Sequence, residues 1–155
     1  MSRVHTCFWF ESDGLAAARL YTSLIPDSRI EGDFEGRDGR GGGFLNIPFT
    51  LGGTPYRILQ AGPMGQHSEM ASITVETVDE AETDRLWEAL TADGGAEGQC
   101  GWLKDRWGLS WQIVPAEFSR LTASGEPGKV GAMMAEMQTM KKLDMARLRA
   151  AYEAG

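Results

Sequence analysis

Cysteine and histidine are nearly absent, with two of each in 155 residues. Cys7 and Cys100 form no C-x-x-C pair, which excludes a zinc ribbon and a dithiol redox motif; two separated thiols are ordinary in a reducing compartment. His5 and His67 stand alone without metal-ligand spacing and read as surface or loop residues. Basic residues are also few, 15 against 22 acidic, giving a formal net charge of −7. An acidic chain gains nothing from a phosphate backbone, so nucleic acid is not an expected partner. No segment approaches the roughly 20 apolar residues of a membrane helix, and Met1 to His5 has no apolar signal region. The expectation is a cytoplasmic protein with no membrane partner.

What the chain does have is apolar content enough for a core, 42%. Val4 to Phe10 reads as a strand and Leu15 to Leu24 as a helix behind Asp13. Ser28 to Phe34, Phe44 to Leu51 and Tyr56 to Ala61 read as strands, the last two joined by the hairpin signal Gly52-Gly53-Thr54-Pro55. Gly36 to Gly43 is a glycine-rich loop without the Lys-Ser or Lys-Thr of a P-loop. The order then repeats: a strand over 71–76, a helix from Asp79 to about Asp93, strands over 99–104 and 109–114 around the turn Asp105-Arg106-Trp107-Gly108, and a helical tail.

The repeat is testable by spacing. Asp13 is followed by Leu20, Tyr21 and Leu24, and Asp79 by Leu86, Trp87 and Leu90, at the same offsets. An aspartate cap followed by an apolar stripe implies a helix laid on a sheet, so Asp13 and Asp79 read as caps rather than acids. The fold class is α+β: paired β-α-β-β-β modules, over about 4–61 and 70–114, forming curved mixed sheets around a cleft, with C-terminal helices. The domain spans 1–115 and the helical extension 116–155.

Several stretches resemble PhnB-like proteins of the vicinal-oxygen-chelate (glyoxalase/bleomycin-resistance) superfamily. They are Cys7-Phe8-Trp9-Phe10 with the helix after it, Ile25 to Ile30, Gln60-Ala61-Gly62-Pro63, 82–90 and, above all, Gly98 to Pro115 with its Asp105-Arg106-Trp107-Gly108 core. Members are often labelled 3-demethylubiquinone 3-methyltransferase-like. Nothing here supports methyl transfer, because no G-x-G-x-x-G loop follows a strand. The resemblance implies a divalent metal held by His or Glu from the first and fourth strands of each half. It places Thr6, Gln60, Ser72 and Gln112 at those points, a set with no anion and no imidazole. Such a set binds a divalent ion poorly. A slip of one residue in the first strand would bring in His5.

The expected ligand-binding residues are therefore Thr6, Phe8, Gln60, Ser72, Trp102 and Gln112, holding a small polar molecule in the cleft, with no metal and no cofactor. No catalytic residue is assigned. The alternatives are a metal-dependent lyase, isomerase or dioxygenase-like enzyme, and a non-catalytic small-molecule-sequestering dimer. Cys100, near Lys104 and Arg106, reads as a small packed residue before a nucleophile. Trp102, Trp107 and Trp111 read as core or interface aromatics, with Trp102 the one placed to stack on a ligand. Met133, Met134, Met137 and Met140 read as a packing stripe. Together with open sheet edges, that stripe suggests a homodimer.

Overall fold

A computed structural model describes residues 4–37 and 42–155, so the middle of the glycine-rich loop lies outside the described residues. The chain divides between Gly65 and Gln66 into two compact units. The first contains β1 (Thr6–Phe10), α1 (Gly14–Leu24), β2 (Arg29–Ile30), β3 (Phe34–Arg37), β4 (Gly43–Leu51) and β5 (Thr54–Gln60). β1 runs parallel to β5, while β4 is antiparallel to β5, β2 and β3. The single strand expected over 28–34 is in fact two. Ile30 pairs with Phe49 and Phe34 with Asn46, so four steps on one side face three on the other and the edge bulges. Between β4 and β5, Gly52 and Gly53 have φ of 53° and 77°, the left-handed pair that a two-residue hairpin demands.

The second unit repeats the plan with β6 (Ser72–Thr77), α2 (Glu80–Thr91), β7 (Ala96–Glu97), β8 (Trp102–Lys104) and β9 (Ser110–Pro115). Its strand order, β6-β9-β8-β7, matches β1-β5-β4-β2, with β6 parallel to β9. Two open mixed sheets, each carrying one helix, confirm the α+β class. β7, two residues long, carries no hydrophobic alternation and was not expected from the sequence. Among the described residues no helix is long and apolar enough to cross a membrane.

The two helices start differently. Asp79 accepts from Glu82 N at 2.8 Å, and Glu82 reaches back to Val78 N at 2.8 Å, a reciprocal cap. Asp13 does not cap with its side chain; its backbone is left-handed, at φ 59°. The first free amide of α1, Gly14 N, instead donates to Gln60 Oε1 at 2.8 Å. A glycine is required there, since a Cβ would lie 2.7 Å from Ile58 Cγ2. The aspartate cap inferred from the repeat thus holds for α2 alone.

Asp105 organises the end of the second sheet. Its carboxylate is 2% exposed and accepts from Trp107 N, Leu109 N and the Trp111 indole at 3.0, 3.1 and 2.9 Å. That satisfies an otherwise costly buried charge and seats Trp111 in the core.

After β9 the chain forms α3 (Ala116–Ser124), α4 (Pro127–Met137) and α5 (Met145–Ala154). Met133, Met140, Leu143 and Leu148 form their buried core, with Val114, Phe118 and Tyr152 packed against it. Met133 and Met140 are therefore spent within the tail, which removes them as a motive for dimer formation. Cys100 N and Gly101 N donate to Met140 O and Lys141 O at 2.8 and 2.7 Å, so the backbone before β8 anchors the tail. Ion pairs Lys141–Glu97, Lys142–Asp84 and Arg149–Glu117 reinforce it.

Asp105→Ala should destabilise the protein by about 2–4 kcal/mol in urea unfolding, because it strands two buried donors and a half-buried one. The tail should also loosen in acid. Arg149 holds the Glu117 carboxyl below its ordinary value. Its contribution is therefore complete above the unfolded value and lost as pH falls through the folded one. Glu117→Gln should flatten that acid limb in pH-dependent melts.

Candidate functional site

Each sheet has one face under a helix and one face turned away from it. In the first unit α1 lies over Ile47 and Ile58, as the Gly14 approach shows, and the Tyr21 and Phe49 rings stand 6.4 Å apart. Strand alternation and register place Thr6, Phe8, Phe10, Tyr56, Ile58 and Gln60 on that covered face. In the second unit Thr77 joins Thr83 of α2 at 2.6 Å. That puts Ile73, Trp111 and Ile113 under the helix and leaves Ser72, Trp102, Ser110 and Gln112 on the far face.

The expected residues thus separate into two groups. Ser72, Trp102 and Gln112 do come together: Gln112 Nε2 donates to Ser72 Oγ at 2.8 Å, and Trp102 sits directly opposite Gln112. Thr6, Phe8 and Gln60 lie on the other face of their sheet, Gln60 lining a hollow of about 630 Å³ with Glu11, Leu45 and Gly62. Thr6 and Phe8 are on the helix side, where Phe8 stacks on Tyr56 at 5.8 Å, and Gln60 caps α1. The physical reason is one residue of linker. Three residues separate β1 from α1, and two separate β6 from α2. The helices repeat at an offset of 66, Asp13 to Asp79, but the strand ends at 67, Phe10 to Thr77. An odd slip inverts every side chain of the strand. The counterpart of Ser72 is therefore His5. Since Phe10 pairs with Gln60 and Thr77 with Pro115, the counterpart of Gln112 is Arg57.

Sequence reasoning named His5 only as the outcome of a one-residue slip in the first strand, and missed Arg29, Asn46 and Arg57. They lie on the far face of the first sheet, by alternation with Phe8, Ile30, Ile47 and Ile58. A hollow of about 650 Å³ opens on this side, lined among others by His5, Arg29, Pro48, Pro55, Tyr56 and Arg57. Burial pushes the Tyr56 phenol up, so it stays neutral. Arg29 is held by Glu31 at 2.8 Å. Buried side-chain polar atoms that lack a hydrogen-bond partner among the described residues are Asn46 Oδ1, Arg57 Nε and Ser110 Oγ. All three belong to the faces turned away from the helices. Cys7 is exposed on the same side, and Trp9 donates its indole to Gly62 O at 3.1 Å.

A divalent metal does not fit the donors of either unit. The strand positions equivalent by the repeat read His5 and Arg57 in the first unit and Ser72 and Gln112 in the second. Ser72 and Gln112 are bonded to each other. Arg57 places a permanent cation where an anionic ligand would be needed. Among the described residues no group of three or more His, Cys, Asp and Glu could hold a metal ion.

The comparisons with known proteins agree with this architecture. The fold is that of the vicinal-oxygen-chelate superfamily of glyoxalase and bleomycin-resistance proteins. Within it, residues 2–114 match the family model described as 3-demethylubiquinone-9 3-methyltransferase, and the chain belongs to that family. The PhnB protein of Bacillus cereus, which carries the same methyltransferase description, is similar at 26% identity and a TM-score of 0.64, over 74% of this chain and 100% of that one. FosX, a fosfomycin resistance protein of Mesorhizobium loti, shares the fold at 16% identity and a TM-score of 0.55, over 79% and 98%. A Listeria monocytogenes FosX mutant, solved with Mn(II) and a dihydroxypropylphosphonic acid, does so at 15% and 0.53, over 76% and 94%. Comparison with curated proteins found no match.

Gln60→Ala should cost about 0.5–2 kcal/mol of stability through the lost cap on α1, measured by thermal or urea unfolding. Small-molecule binding by the folded variant should stay unchanged.

Proposed function

We propose that the protein binds a small molecule on the sheet faces turned away from the helices, without a tightly held metal. The observation that carries this is the location of the three orphaned polar atoms, Asn46 Oδ1, Arg57 Nε and Ser110 Oγ. A buried polar group without a partner costs of order 1–3 kcal/mol, and the core faces of both sheets avoid it. Arg57, one of the three, lines the open hollow of the first unit, where a ligand can complete the groups around it. Trp102, opposite Gln112, adds a flat surface beside amide and hydroxyl groups suited to a polar ligand. Methyl transfer from a nucleoside cofactor, which the family description names, draws no support from either sheet. Both are mixed rather than doubly wound and parallel, so no switch point receives such a cofactor.

The test is a fragment screen followed by amide chemical-shift mapping. Hits should move resonances of residues 44–48, 57–59, 102 and 110–112. Hits confined to the helices or the tail would overturn the reading. Titration with Mn(II) should leave the amides around Ser72 and Gln112 unbroadened at stoichiometric metal. Site-specific broadening there would restore a metal-dependent reading.

A further inference from the structure

We infer that Arg57 receives the anionic head of the bound molecule, so that the ligand of the first sheet is a small organic acid. This rests on the small-molecule reading above and adds the ligand's charge and class. The Arg57 guanidinium is half-buried on the middle strand between β1 and β4, and its Nε is sealed from solvent without an acceptor. In a chain with 22 acidic residues against 15 basic, a guanidinium finds a carboxylate easily, as Arg29, Arg147 and Arg149 do. Arg57 has no such partner among the described residues. The carboxylate lining the same hollow, Glu31, is already engaged by Arg29 at 2.8 Å.

A desolvated cation with an unfilled donor is costly to keep unless something completes it. The reachable end of the guanidinium is its pair of Nη groups, whose N–H groups match two oxygens of one anionic group. Carboxylate and phosphonate share that feature. The apolar side chains beside Arg57 on this face are Pro48 and Pro55, so the body attached to the anion is apolar where it lies on them.

The experiment uses the full chain and three probes of one shape: benzoate, phenylphosphonate and the neutral benzamide. The readouts are the Nε–Hε resonance of Arg57 in arginine-selective spectra and the affinity by titration. Benzoate, phenylphosphonate or both should shift that resonance saturably, and benzamide should not; which anion binds tighter separates the two head groups. Arg57→Gln should weaken anion binding about 10-fold or more. Arg57→Lys, which keeps the charge and loses the fork, should fall between. An unchanged amide spectrum elsewhere checks that each variant is folded. Equal binding of benzoate and benzamide, or full anion affinity in folded Arg57→Gln, overturns the inference and leaves small-molecule binding standing. If no probe perturbs either far face at millimolar concentration, both readings fall together.

Discussion

A strand has two sides, and in each sheet of this protein a single helix takes one of them. α1 is built for close approach, with Gly14, Ala17, Ala18 and Tyr21 buried against Ile47, Phe49 and Ile58. α2 does the same with Leu86, Trp87 and Leu90 over Trp111 and Ile113. Burial of this kind supplies most of the driving force, at about 25 cal/mol per Å² of apolar surface removed from water. It also assigns every other strand residue to the opposite side by default. The polar groups of the far faces, Arg57, Asn46, Ser72, Ser110 and Gln112, stand where they do because their neighbours in sequence are needed under a helix.

That dependence explains what could be read from the sequence. The two helices, the long strands and the repeat were legible, because apolar residues at helical spacing and β-branched or aromatic runs report directly on burial. In the second unit alternation was legible too, so Ser72, Trp102 and Gln112 fell on one face as expected. In the first unit it was not. The linker Glu11-Ser12-Asp13 carries one residue more than Val78-Asp79, and Asp13 takes a left-handed backbone rather than the extended cap of Asp79. Both aspartates look alike in sequence. Which one caps depends on Gln60, 46 residues away along the chain. Gln60 therefore has a structural role at the start of α1, and the register puts Arg57 rather than Gln60 on the far face.

The turn Asp105-Arg106-Trp107-Gly108 shows the same limit from another side. Its tightness could be read from composition, but not that its carboxylate would be the buried acceptor for both the turn and Trp111. The methionines of the tail likewise showed their spacing and not their partner. A flexible thioether fills either a core or an interface, and nothing local distinguishes the two. Met133 and Met140 fill the tail's own core.

The tail bears on how the two halves of the repeat diverge. The family match ends at residue 114, and α3 begins two residues later, so the last three helices add to the shared fold. They pack on Val114, two residues beyond Gln112 on the same face of β9, and they hold the backbone at Cys100 and Gly101. The second sheet's far face holds hydroxyls, an amide and an indole around Ser72, Ser110, Gln112 and Trp102, with the charged Glu76 and Lys104 in phase with them. Among the described residues of its own unit the first sheet carries no such cover, and its equivalent of Gln112 is a guanidinium. An ancestral pair of like sites would present the same chemistry twice. Here one face offers a guanidinium beside a hollow, and the other a serine–glutamine pair beside an indole, so each face sets its own requirement on what it could bind.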